Sequence, residues 1–169
     1  MTSILKVDEI QNTGGTTALT IDSSGRTITP TKPSFLAYDG STGWQTLGGT
    51  GNTKLPLDAT QHNRGSHYDT SNYRFVCPCD GVYSLQGQIY HDANTEFKLR
   101  IILNGSTDIS FVSNSTQGDS ATTSITREFT TNDYVELWGQ ISNSDASDFY
   151  AGNTSADHSY LFFSGFLVG

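Results

Sequence analysis

The chain has 169 residues, 15% of them charged and 34% hydrophobic, with a net charge of −8. This length fits one domain plus an appendage. The charge content is too low for a disordered chain, and the acidic balance repels phosphates and so excludes nucleic acid as a partner. Polarity resides in Ser, Thr, Asn and Gly, which suit exposed strands and turns, while the strong helix formers are scarce. An all-β fold is predicted. The acidic surface could draw divalent cations, but solubility is the simpler reading, and no cofactor is implied.

Residues 1–32 are read as a separate N-terminal segment. It has no aromatic residue and few aliphatics. Leu5 with Val7, and Leu19 with Ile21, show strand periodicity, and turn signals stand at Asn12–Gly15 and Asp22–Gly25. Such short strands cannot build a core alone, so an attachment or stalk segment shared between copies is expected, ahead of a flexible tail. Ile4 and Leu5 are followed at once by Lys6, Asp8 and Glu9, so no signal peptide is read and no run is long enough to span a membrane. Synthesis in a cytosol follows, and the sequons at Asn104, Asn114 and Asn153 carry no meaning there.

Pro30 and Pro33 bracket a linker, and residues 33–169 form the main domain. Strands are predicted at Ser34 to Tyr38, Leu55 to Ala59, Tyr73 to Pro78 and Val82 to His91. Further strands are predicted at Phe97 to Leu103, Phe111 to Ser113, Ile125 to Phe129, Asp133 to Ile141 and Ser159 to Val168. Tyr83, Leu85 and Ile89 share one face. Phe97, Leu99, Ile101 and Leu103 alternate with Lys98 and Arg100, and Asn104-Gly105 signals a hairpin. The final strand carries Tyr160, Leu161, Phe162, Phe163, Phe166, Leu167 and Val168, and so is apolar on both faces. The core covers one face. A second subunit is the expected cover for the other, with the chain's own N-terminal strand as the alternative.

The run from Asn63 to Tyr83 carries a specific resemblance. Asn63, Gly65, Tyr68 and Asp69, then Phe75, Pro78, Gly81 and Tyr83, resemble the signature of the complement globular-head domain, a branch of the tumour necrosis factor-like jelly rolls. Phe35 to Tyr38, Leu103-Asn104-Gly105, Asn132 to Leu137 and Phe163 to Leu167 are similar to further pieces of that family in the same order. The resemblance implies a ten-stranded antiparallel jelly-roll sandwich forming a compact homotrimer whose axis is lined by aromatics. On that implication Phe35, Tyr38, Tyr160, Phe162 and Phe166 are assigned to the subunit interface. Cys77 and Cys79 depart from the pattern, and the segment from Asp92 to Thr95 is short.

Residues 1–26 resemble N-termini of fibre-like proteins of tailed phages, through Lys6 to Asn12 and Ala18 to Arg26. The reading that follows is a non-enzymatic virion protein, a short trimeric fibre, knob or decoration protein. Residues 1–32 would contact other virion proteins, and the head would touch a host surface glycan or protein. A soluble glycan-binding adhesin and a structural cement protein are the alternatives.

Catalysis is not expected. Cys77 and Cys79 would share a face if Pro78 lay on a strand, but zinc needs about four ligands, and His62, His67, His91 and His158 lack finger spacing. A disulfide between them would be strained. Ser164 has no nucleophile-elbow context. Asp145, Asp148 and Asp157 suggest a carboxylate cluster, yet Asp is an ordinary residue of Ser/Asn/Gly-rich loops. Trp44 in its polar loop, with Asp145, Asp148 and Tyr150, is the expected surface ligand site, whereas Trp138 on a strand reads as structural.

Overall fold

The structure, a computed structural model, describes residues 5–47, 51–92, 96–114, 119–141, 147–152 and 159–169. Asp145, Asn153, Asp157 and His158, and the side chains of Asn114 and Ile141, lie outside the described residues. The chain falls into two units, Met1–Lys32 and Pro33–Gly169.

The first unit is a single antiparallel sheet of β1 (Glu9–Gln11), β2 (Thr17–Ile21) and β3 (Thr27–Ile28), in that order. Its two turns repeat each other ten residues apart. Asn12 Oδ1 accepts the amides of Gly14 and Thr16, and Asp22 Oδ1 accepts those of Ser24 and Arg26. Gly15 and Gly25 close the turns at φ 81° and 79°, a conformation that suits glycine. Ile10 and Ile28 remain exposed, so this sheet has no core face of its own. Leu5 and Val7 precede β1 rather than forming a strand, and Leu5 is 84% exposed.

The second unit contains thirteen strand segments among the described residues, against the ten that the resemblance implies. They are β4 (Ser34–Tyr38), β5 (Trp44–Leu47), β6 (Gly51–Lys54), β7 (Ala59–Arg64), β8 (Tyr68–Asp69), β9 (Arg74–Val76), β10 (Gly81–His91), β11 (Phe97–Leu103), β12 (Thr107–Asn114), β13 (Asp119–Phe129), β14 (Tyr134–Ile141), β15 (Ser147–Tyr150) and β16 (Phe162–Leu167). One sheet runs β5-β15-β10-β16-β4-β7, with β13 also paired to β10. The other runs β12-β11-β14-β9-β8, with β6 paired to β14. Every pairing is antiparallel, and the two inner faces enclose one core. This is a jelly-roll sandwich.

Two local expectations are corrected. Leu55 to Ala59 is not a strand. Pro56 has no amide to donate, and the segment instead drops Leu55 and Leu57 into the core, with the Leu55 amide held by Leu137 O. The alternation expected of β11 holds: Phe97, Leu99 and Ile101 lie in the core with Leu103 packed against it, and a bulge opposite Ile101 and Ile102 places its extra residue, Ile109, on β12. Asp148 lies on a strand, β15, rather than in a loop. Gly81 opens β10, and a Cβ there would meet Leu167 Cδ1 at 2.8 Å and the Gly169 carbonyl oxygen at 3.1 Å.

The run from Asn63 to Tyr83 proves to be architectural. Asn63 closes a loop by donating from Nδ2 to Tyr68 O and accepting the Tyr68 amide at Oδ1, at 2.8 and 3.0 Å. Gly65, at φ 82°, allows the turn. Tyr68 is buried, donates its hydroxyl to Leu57 O and stacks on Phe35; burial pushes its phenol well above the usual tyrosine range. Phe75 stacks on Phe35 at 4.6 Å and meets Tyr83 edge-on, and the Tyr83 hydroxyl donates to Cys79 O. These residues build the core and its turns.

Candidate functional site

The sheet containing β10, β16 and β4 has an outer face that faces away from the core. Along β16 the parity is plain: Phe163 is fully buried, while Phe162 and Phe166 point outward. Phe162 sits opposite Tyr38 and Gln88, Ser164 opposite Leu36 and Gln86, and Phe166 opposite Ser34 and Ser84. Phe166 is 51% exposed, Val168 47% and Val82 36%. A contiguous apolar patch of this kind at the end of a polar Ser/Gln face is the usual mark of a contact surface.

The assignment of Phe35 to that surface is overturned. Its ring is 1% exposed and lies among Tyr68, Phe75 and Phe163. Strand β4 is apolar on both faces, and the register puts Phe35 and Ala37 inward, leaving Leu36 and Tyr38 outward.

At the far end of the same face, Trp44, Tyr90, Tyr150 and Tyr160 come together. Tyr150 pairs with Trp44 across β15 and β5, Tyr90 projects from the end of β10, and Tyr160 lies just before β16. Each ring touches the next in a closed circuit. Centroids are 5.2 Å apart for Trp44–Tyr150, 4.8 Å for Tyr150–Tyr160, 5.9 Å for Tyr160–Tyr90 and 5.7 Å for Tyr90–Trp44. Among the described residues these four side chains line a depression of about 330 Å³, and Trp44 is 47% exposed. The sequence reading had divided them between two sites, Tyr160 to an interface and Trp44 with Tyr150 to a ligand; Tyr90 was missed, because an outward Tyr on a half-polar strand gives no signal of its neighbours.

Asp148 stands two residues from Tyr150 on β15, and its amide donates to Asp92 Oδ1 at 2.8 Å, so two carboxyl groups flank the aromatic circuit. Trp138 is elsewhere, donating from Nε1 to Glu136 Oε2, whose other oxygen pairs with Lys54.

The two cysteines lie in different surroundings. Both lie past the end of β9, Cys77 buried and Cys79 exposed, and both are free thiols, so the shared face expected of a strand is absent. Burial, reinforced by the nearby Asp133 carboxylate, pushes the Cys77 thiol up to about 12. Among the described residues no three His, Cys, Asp or Glu side chains converge as metal ligands would.

An antiparallel jelly roll with these signature residues in its core defines the class of globular-head domains. The chain belongs to the C1q-domain family, whose model matches residues 43–168. The globular domain of zebrafish complement 1qA is similar in structure, with TM-score 0.55, 14% identity, 82% of this chain covered and 98% of that one. Murine APRIL at pH 5.0 is similar with TM-score 0.59 and 11% identity, covering 81% of this chain and 99% of that one. No curated protein sequence matches the chain. Domains of this family usually form homotrimers, often bind partners and are typically non-enzymatic.

Proposed function

We propose that the chain is a homotrimeric, non-enzymatic head that its first 32 residues fix to a larger particle, and that the particle is a tailed-phage virion. On it the protein serves as a short fibre, knob or decoration protein. The observation that carries the self-association is the outer face of β16, where Phe166 and Val168, with Val82 beside them, stay half-exposed on a well-built sandwich. Exposed apolar surface of this kind is stabilised when a second copy covers it. The role of the first unit is supported by its repeated turns on a sheet without a core, which suits packing against other chains. The likeness of Lys6 to Asn12 and Ala18 to Arg26 to phage fibre N-termini supports the virion.

Two measurements test this. Sedimentation of the full chain should give three times the mass of one chain. Purified virions, probed by mass spectrometry, should contain the protein in stoichiometric amount, and its absence from them would remove the virion role while leaving the trimer standing.

A further inference from the structure

We infer that a cavity lined by strands of both sheets, with the carboxylates of Asp39 and Asp58, binds a primary ammonium group on a short aliphatic stem. This goes beyond the trimeric-head reading and does not depend on it.

The cavity has a volume of about 240 Å³. Its lining comes from Leu47 on β5, Lys54 on β6 and Phe149 on β15, with Asp39 just after β4 and Pro56 and Asp58 just before β7. Leu47 and Phe149 belong to the core, so the cavity opens onto the inside of the sandwich. The proposed self-contact instead uses Phe166 and its exposed neighbours, which point away from the core.

Asp39 carries the argument. It is 2% exposed, yet no ion pair among the described residues includes it. All nine Lys and Arg residues of the chain are described, so no other lysine or arginine of the same chain is left to pair with it. Its Oδ1 accepts the Ser41 amide at 2.8 Å, and Oδ2 meets no donor among the described residues. Asp58 repeats the arrangement: Oδ1 accepts the Gly40 amide at 2.8 Å, and Oδ2 meets no donor there either. Each carboxylate thus keeps one oxygen for a ligand. A buried carboxylate is costly unless a positive partner replaces its water.

The lining narrows the class of that partner. Lys54 is committed elsewhere, since its Nζ donates to Glu136 Oε1 at 2.7 Å and to Asn72 O at 3.1 Å. The positive charge therefore comes with the ligand. A primary ammonium has three N–H donors, which serve the two free carboxylate oxygens and one further acceptor. Gln45 also lines the cavity; its Nε2 donates to Thr42 O, and its Oε1 accepts no hydrogen bond among the described residues. Leu47, Pro56 and Phe149 give the aliphatic stem an apolar wall. Calcium is the rival cation. It takes about six to eight oxygens, its double charge is repelled more strongly by Lys54, and it gains nothing from the apolar wall. A quaternary ammonium has no N–H for the free oxygens. The volume lies below the roughly 300–1,000 Å³ of drug-sized pockets, so the ligand is small. A free amine and a lysine side chain of another protein both have this chemistry.

The test uses the full chain with n-butylamine, which is protonated at pH 7 as a lysine is. Saturation-transfer NMR and calorimetry should show saturable binding, and neither calcium chloride nor tetramethylammonium at equal concentration should displace it. Asp39→Asn and Asp58→Asn keep the acceptors of the Ser41 and Gly40 amides but remove the charge. Each should weaken binding roughly tenfold or more, the loss of a charge-assisted hydrogen bond. Asp58 is exposed, so its variant tests the site even where circular dichroism shows Asp39→Asn to be misfolded. The methylamide of acetyl-lysine separates the two sources. Binding at least as tight as that of butylamine assigns the site to a protein side chain, and weaker binding assigns it to a free amine. Absence of saturable butylamine binding would overturn the inference, as would displacement by calcium or tetramethylammonium. Undiminished binding by the folded variants would overturn it as well.

Discussion

The ring of Phe35 stands edge-on to that of Phe163, with centroids 5.2 Å apart and planes at 73°. This contact ties the first and last strands of the head through its core. It fixes the parity of both, since each successive residue must point to the opposite side. Phe163 turned inward means Phe162 turned outward. Truncating Phe35 to Ala should destabilise the fold by about 3–5 kcal/mol, the range for a large buried aromatic. Chemical denaturation would measure it. A loss of less than about 1 kcal/mol would mean that the ring is not packed as described.

Lys54 and Glu136 form the most buried ion pair among the described residues, 2.7 Å apart, with Glu136 only 4% exposed in its side chain. Lys54→Met leaves the carboxylate with Trp138 Nε1 as its remaining side-chain donor. Removing one partner of a buried pair costs about 3–5 kcal/mol, and Lys54 keeps 31% exposure, so a loss near 2–3 kcal/mol is expected. Replacing both residues, Lys54→Met with Glu136→Gln, should recover part of it. Urea unfolding of the single and double variants checks both statements.

The two thiols should differ in reactivity. Cys77 is buried and its thiol is pushed up to about 12, so at pH 8 almost none is thiolate, whereas Cys79 is exposed. Iodoacetamide at pH 8 should label Cys79 alone in the folded chain and both cysteines in denaturant. Peptide mapping reads this directly, and labelling of Cys77 at the same rate as Cys79 in the folded chain would contradict it.

Acid should loosen the turns at one end of the sandwich. The Asn104 side chain donates to Asp133 Oδ1, and the Thr130 amide to Asp133 Oδ2, holding that carboxyl below its ordinary 3.8. The Thr131 amide and hydroxyl do the same for Asp80. Groups depressed in the folded state contribute stability above the unfolded value and lose it as pH falls through the folded one. Asp133→Asn should therefore lower the melting temperature at pH 7, and its gap from the native chain should narrow as pH falls below 3.8. A gap that stays constant down to pH 2 would contradict this linkage.

Much of the head was legible because its long strands advertise themselves. Alternation picked out β10 and β14, and Asn104-Gly105 marked the hairpin after β11. Where a strand is apolar on both faces, alternation cannot tell core from surface. Phe35 and Ala37 compete with Leu36 and Tyr38, and only the pairing with β16 decides between them. The aromatic circuit was half visible for a related reason. Strands β5 and β15 are four residues each, in Ser/Thr/Asp-rich sequence, and form by pairing with each other across a long span of chain. No local pattern encodes that pairing, so Trp44 and Tyr160 could not be seen as neighbours.

The central claim is that copies of this chain associate through the outer face of β16. Multi-angle light scattering on the full chain and on Phe166→Glu tests it most directly, because Phe166 is half-exposed and its change leaves the core untouched. The native chain should elute at three times the mass of one chain, and the variant at the mass of one chain with its β-sheet circular dichroism intact. A native monomer at micromolar concentration would contradict the account, as would a Phe166→Glu variant that stays trimeric.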